Sequence, residues 1–111
     1  MKKSIVDSLL LEYYGGLLTE KQQQIMSIYV DYDVSLSEIA SEMGMTRQAV
    51  YDAVKKSEAQ LKQFEDALGC VNKYLNDRLI IEECIAEIDK LQHNLNTQKL
   101  QNLKEKLKKL L

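Results

Sequence analysis

The stretch MGMTRQAVYDAVKKSE, residues 43–58, decides how this chain folds. Gly44 is a residue with little steric penalty at positive φ, which a chain needs where one helix stops and the next leaves at a steep angle. Thr46, two residues later, is a hydroxyl N-cap for that next helix. Val50 lies six residues past the glycine, where it anchors the second helix on the first. Upstream, Ile39 and Ala40 complete the pattern I-A-x-x-M-G-M-x-x-x-x-V. Two helices that cross steeply approach most closely at a small side chain, and Ala40 takes that place. Ile39, Met43 and Met45 cover the inner face, and Ala53 and Val54 continue it. Spacing, caps and turn residue together predict a helix-turn-helix.

Working outward, Ser35 with Glu38 has capping-box spacing and opens a short helix through about Met43. Thr19 with Gln22 has the same spacing and opens a helix at about Glu20, with Ile25, Met26, Ile28 and Tyr29 as its apolar face. Asp31, Asp33 and Ser35 loosen the chain between them. Nearer the start, Ile5, Val6, Leu9, Leu10 and Tyr13 form a helical stripe. Gly15 and Gly16 are expected to end that helix in the left-handed conformation. Downstream, Val50, Val54, Ser57, Leu61, Phe64, Leu68, Val71 and Leu75 alternate steps of four and three, a heptad seam. Gly69 sits inside the seam, so a long helix to about residue 67 and then a second element are expected. Leu79, Ile81, Ile85, Ile88, Leu91 and Leu95 form another stripe, interrupted by Asn94, Asn96 and Thr97. Leu100, Leu103, Leu107, Leu110 and Leu111 mark a final amphipathic helix, leucines inward and lysines outward. The predicted fold is all-α: a small helical bundle with a helix-turn-helix of winged-helix-like or sigma region-four-like form, and long C-terminal helices. The organisation read from the pattern is a helix-turn-helix domain over 1–68 and a helical extension over 69–111, packed on the first part or on a second chain.

Composition agrees. The 111 residues contain no proline and 4 glycines, and 45% are apolar, which favours a folded, helical protein. The net charge is −2, without the basic excess usual for a nucleic-acid binder. Its distribution is uneven. Residues 1–68 carry seven Lys/Arg against eleven Asp/Glu; residues 69–111 carry eight against six. No apolar run approaches the ~20 residues of a membrane span, and Asp7 and Glu12 break the N-terminal run, so a cytoplasmic protein without a membrane span is expected.

The outward face of the second helix begins at Thr46, Arg47 and Gln48 and continues through Tyr51, Asp52 and Lys55. Arg pairs with guanine and Gln with adenine, so the face has legitimate base-reading chemistry. Lys55, Lys56 and Lys62 suit phosphates. Glu38, Glu42, Asp52 and Glu58 lie on or near the same surface and oppose a polyanion. Two readings stay open: a nucleic-acid contact, or a scaffold whose polar face meets a protein. Candidate contact residues are Thr46, Arg47, Gln48, Tyr51 and Lys55, on a scaffold of Ile39, Ala40, Gly44 and Val50.

Other chemistry finds little support. Cys70 and Cys84, 14 residues apart, with one histidine in the chain, do not make a zinc site; they are expected to be reduced and partly buried. His93 is expected exposed at a helix end. Glu82 and Glu83 splay about 100° apart on a helix and form no acid/base pair. Gly15-Gly16 lacks the phosphate-loop pattern. No catalytic residue, metal site or cofactor is expected. Of six tyrosines, Tyr51 is the one placed to stack on a partner; the others suit core or rim. The lysine-rich end suits either a solvated helix or an anionic partner, RNA or lipid headgroups. Apolar seams longer than a small domain can cover imply a folded-back tail and a homodimer.

The runs YYGGLLTEKQ and TRQAVYD carry a resemblance. SLSEIASEMGMTRQAVYDAVKKSEAQL is similar to region four of primary bacterial sigma factors, a promoter-reading helix-turn-helix. More of the chain, roughly residues 5–75, resembles the YlxM family of small helix-turn-helix proteins from Gram-positive bacteria. One departure is Gly16, where an acidic residue is common. The family's genes lie beside those for the signal recognition particle GTPase and its receptor. The resemblance therefore implies a regulatory protein of the signal recognition particle pathway, whose partner is that GTPase or the particle's RNA. The alternative is a DNA-binding transcriptional regulator. The family pattern has no catalytic residues, and its match here places Thr46, Arg47, Gln48, Ala49, Val50, Tyr51 and Asp52 on the second helix of the motif.

Overall fold

The computed structural model of the chain describes residues 5–95 and 98–111. Asn96 and Thr97, and the side chains of Asn94 and Leu95, lie outside the described residues, so the expected interruption there is not observed directly. Six α-helices follow one another: α1 Ile5–Tyr14, α2 Glu20–Asp31, α3 Leu36–Met43, α4 Arg47–Leu68, α5 Cys70–Leu95 and α6 Gln98–Lys108, with one 3-10 turn, Gly15–Leu17, after α1. The fold is all-α. No strand occurs among the described residues, so the helix-turn-helix carries no wing. The chain divides into two compact units, residues 1–71 and 72–111.

In the first unit α3 and α4 pack on each other and on α2, and α1 lies against α2 and α4. Ile25, Ile39, Val50 and Ser57 are fully buried at the centre, with Met26, Val54, Leu61 and Leu18 around them. The caps explain the element boundaries. Thr19 and Gln22 form the complete reciprocal box: the Gln22 N–H donates to Thr19 Oγ1 at 3.2 Å, and the Thr19 N–H donates to Gln22 Oε1 at 3.0 Å. Ser35 makes one half of its expected box, accepting from the Glu38 N–H at 3.2 Å. Gly44 adopts φ 67°, ψ 34°, and the Met45 N–H donates back to the Ala40 carbonyl at 2.9 Å, closing α3 in a Schellman turn. Thr46 Oγ1 accepts from the Ala49 N–H at 3.1 Å and opens α4.

Two expectations at the N-terminus need correction. Gly15 and Gly16 do not take the left-handed conformation, which glycine adopts here only at Gly44 and Gly69. Gly15 is buried instead, in a turn where a Cβ would lie 3.2 Å from Leu11 Cδ1. The buried tyrosine of α1 is Tyr14 (2% exposed), whereas Tyr13 (45%), Ile5 (78%) and Val6 (45%) face outward. Adjacent helical residues diverge by about 100°, so a stripe read one residue off puts the wrong ring inside.

The seam through α4 is buried at Val50, Val54, Ser57 and Leu61, half-buried at Phe64, and lost at Leu68, which is 62% exposed. Gly69, at φ 65°, ends α4. The start of α5 has an unexpected cap. The Tyr14 hydroxyl donates to Glu65 Oε1 at 2.6 Å and accepts from the Cys70 N–H at 3.0 Å, while the Val71 N–H donates to Glu65 Oε1 at 3.0 Å. A helix start leaves its first N–H groups without helical partners, and here a phenol and a carboxylate fill that role. Burial, then the hydrogen bond to Glu65, pushes the Tyr14 phenol well above its ordinary range.

In the second unit α5 and α6 run antiparallel. Gln92 Nε2 donates to Gln101 Oε1 at 3.0 Å, Lys104 Nζ donates to Asp89 Oδ1 at 2.8 Å and to Gln92 Oε1 at 3.0 Å, and Arg78 Nη1 lies 3.4 Å from the Leu111 carbonyl. α6 therefore lies back along α5. The inward and outward sets differ from expectation: Lys104 turns in, its side chain 16% exposed, while Leu103 (47%) and Leu110 (67%) turn out. Leu79 (58%) and Leu91 (48%) are likewise exposed. Among the described residues of this unit, Ile88 is the only large apolar side chain that is buried.

Candidate binding face of the helix-turn-helix

The predicted scaffold residues do what their types require. Ile39 and Val50 are 0% exposed and Ala40 5%, with Gly44 at the turn. They hold the start of α4 across α3 and leave its other side in solvent, where Thr46, Arg47, Gln48, Tyr51, Asp52 and Lys55 are all exposed. At about 100° per residue, Arg47, Tyr51, Lys55 and Lys62 fall within one stripe of roughly 80°. Gln48 and Asp52 lie beside it. Lys56 lies a further 100° round, so the three lysines named for phosphates do not share one surface. Glu58 does lie in the stripe, a position legible from its spacing of eleven from Arg47.

Contacts within the face narrow what each side chain has left to offer. Gln48 Nε2 donates to Asp52 Oδ1 at 2.9 Å, so its amide is already engaged by an acid of the next turn. Lys55 Nζ sits 5.6 Å from the centre of the Tyr51 ring and 3.7 Å from Glu58 Oε1. A cation over a ring face is held by the ring quadrupole, which orders Tyr51 and Lys55 as a pair. The Thr46 oxygen is committed to its cap. The Arg47 guanidinium has no partner among the described residues and is the principal unspent donor group. Glu38 and Glu42 are exposed on the neighbouring α3. The face thus offers a planar cation and an exposed ring, which is 41% accessible, in an acidic setting.

Among the described residues no group of three or more His, Cys, Asp or Glu side chains is placed to hold a metal ion. Cys70 and Cys84 are free thiols; Cys70 is half-buried, but Cys84 is exposed, contrary to expectation. His93 is exposed in the last turn of α5. No helix among the described residues is long and apolar enough to cross a membrane.

The profile of the family described as "Putative helix-turn-helix protein, YlxM / p13 like", UPF0122, matches residues 1–109. The chain belongs to this family. A UPF0122 protein of Desulforamulus reducens is 39% identical over 111 residues, covering 100% of this chain and 95% of the relative. One from Clostridium perfringens is 38% identical over 104 residues, covering 94% and 92%. One from Exiguobacterium sibiricum is 46% identical over 74 residues, covering 67% and 70%. The likeness to UPF0122 relatives thus extends through α5 and α6, beyond the residue 5–75 span on which the YlxM resemblance first rested.

Proposed function

We propose that this UPF0122 protein is a non-enzymatic regulator of the signal recognition particle pathway, docking through the exposed face of α4 on the particle's GTPase or its RNA. The observation that carries the reading is the face itself: Arg47, without a partner among the described residues, beside the ordered Tyr51–Lys55 pair on the packed motif. An arginine and a tyrosine on a well-packed helix are the side chains most often found at the energetic centre of a protein interface. The first unit is acidic, with seven Lys/Arg against eleven Asp/Glu over residues 1–71. That balance favours a protein surface over a polyanion at this face. RNA finds its better chemistry on α6, where five lysines follow residue 97.

Duplex DNA is the second reading, favoured by the helix-turn-helix geometry and by the free Arg47. Against it, the Gln48 amide is turned to Asp52, so reading adenine requires breaking that bond. The test is direct binding of the purified chain to the purified GTPase, to the particle's RNA, and to duplex DNA at two salt concentrations. Arg47→Ala with Tyr51→Ala is expected to weaken GTPase binding at least tenfold while helicity is unchanged. Saturable, salt-sensitive duplex binding together with no binding to GTPase or RNA would replace the proposal with the DNA reading.

A further inference from the structure

The α5–α6 hairpin leaves an organised apolar face uncovered. On α5, Ile80, Cys84, Glu87 and Leu91 fall within an arc of about 60° at 100° per residue. Ile80 is 58% exposed, Leu91 48%, and Cys84 is exposed. On α6, Leu103 and Leu110 differ by about 20° and are 47% and 67% exposed. Each set lies roughly 110–130° round from the stripe its helix turns to the other, in the same rotational sense. In an antiparallel pair, offsets of the same sense place both sets on one side of the hairpin. The hydrogen bonds from Gln92 to Gln101 and from Lys104 to Asp89 set the register, which puts Leu91 level with Leu103, and Leu110 between Ile80 and Cys84.

A unit of this size with one buried large apolar residue among its described residues has too little core to specify its own packing. Its charge says what covers it. From residue 72 to 95, α5 carries five acidic against three basic side chains; from 98 to 111, α6 and the chain end carry five lysines against one glutamate. We propose that a second copy of the chain covers this face, with the two hairpins forming a four-helix bundle in which α5 of each copy lies on α6 of the other. A two-fold axis parallel to the helices produces that arrangement. It keeps the axial register, sets Leu91 against the second copy's Leu103, and makes all neighbouring helices antiparallel. It also pairs the acidic helix with the basic one twice, whereas the perpendicular axis stacks like on like. The same register levels Glu87 with Lys106, so across the axis the second copy's Lys106 faces Glu87 on the rim. The face is on the order of 23 Å long and 20 Å wide, about 1,000 Å² in projection for both copies, at the lower edge for a specific interface. The dimer is therefore concentration-dependent.

Sedimentation velocity on the full chain, from about 1 to about 200 µM, reads the association over the range expected for such an interface. The mass should rise from 12.8 kDa towards twice that value. Leu91→Glu with Leu103→Glu, both at exposed positions, should hold the chain monomeric throughout with an unchanged circular dichroism spectrum. Glu87→Lys alone and Lys106→Glu alone should each move the midpoint up roughly tenfold, through two symmetric pairs, and the double reversal should restore it. A wild-type chain monomeric at the highest concentration overturns the proposal and assigns the face to another protein. A dimer indifferent to the leucine substitutions overturns it as well, and a double reversal no tighter than the single ones overturns the α5-on-α6 pairing.

Discussion

Substituting the glycines one at a time separates backbone strain from crowding, because the structure gives each a different environment. At Gly44 (φ 67°) and Gly69 (φ 65°) a Cβ would meet nothing within 4 Å, so alanine there meets no clash and feels only the left-handed backbone. That penalty is about 1–2 kcal/mol for an L-residue, offset in part by the ~0.4–1 kcal/mol that Gly→Ala gains from a stiffer unfolded chain. Gly44→Ala should therefore cost about 1 kcal/mol net, and Gly44→Asn less, since asparagine tolerates this region better. At Gly16, φ is ordinary and the space is equally open, so Gly16→Ala should stabilise by about 0.4–1 kcal/mol. Gly15→Ala falls between, because its Cβ meets only the end of a flexible leucine at 3.2 Å. Urea unfolding followed by circular dichroism reads the series. With a slope of roughly 1 kcal/mol per molar urea, Gly44→Ala and Gly16→Ala should part by about 1.5–2 M in midpoint. If Gly16→Ala destabilises as much as Gly44→Ala, or Gly44→Asn is worse than Gly44→Ala, the assignment of strain to the turn is wrong.

Three further outcomes follow from the packing. Ile39→Ala, at a fully buried position, should cost about 2–5 kcal/mol in urea unfolding, whereas Ile5→Ala, at 78% exposure, should stay within about 0.5 kcal/mol. The raised Tyr14 phenol makes stability fall at high pH: once pH exceeds the ordinary tyrosine value of about 10, the unfolded chain ionises while the folded one stays neutral, which favours unfolding. Urea midpoints at a series of alkaline pH values should show that fall, and Tyr14→Phe should flatten it while lowering stability at neutral pH by loss of the cap on Cys70. Asp52→Ala should release the Gln48 amide; if duplex DNA is a ligand at all, a mobility-shift titration should then show tighter binding, and no change there counts against Gln48 as a base reader.

Much of the helix-turn-helix is legible in the sequence, because its signals are local. Thr19, Ser35 and Thr46 cap the helices they were expected to open, Gly44 turns where positive φ was required, and Gly69 ends α4 where a break was expected. The seam from Val50 to Leu61 is buried as its spacing implies. The candidate face on α4 was partly readable: helical geometry turns Tyr51 and Lys55 about 60–140° away from Val50 and Val54, but puts Arg47, seven residues before Val54, within about 20° of it, so spacing alone did not decide that Arg47 is exposed.

What spacing left undecided were choices between near neighbours and contacts across long separations. Tyr13 and Tyr14 have the same composition and almost the same place in the stripe. Only the position of α4 makes Tyr14 the inner ring, 6.0 Å from Phe64. The cap on α5 joins Tyr14 to Glu65 and Cys70 across 51 and 56 residues, and no periodicity encodes such a meeting. Lys104 turned inward because Asp89 and Gln92 were there to receive it, displacing Leu103 to the surface. Sequence alone determined where α2, α3 and α4 begin, where α3 and α4 end and which residues of α4 are buried from Val50 to Leu61, since caps and helical repeat act within a few residues. Tertiary structure decided which tyrosine is buried, what holds α5 at its start and which leucines α6 leaves exposed, because those depend on neighbours that the fold, not the chain order, brings together.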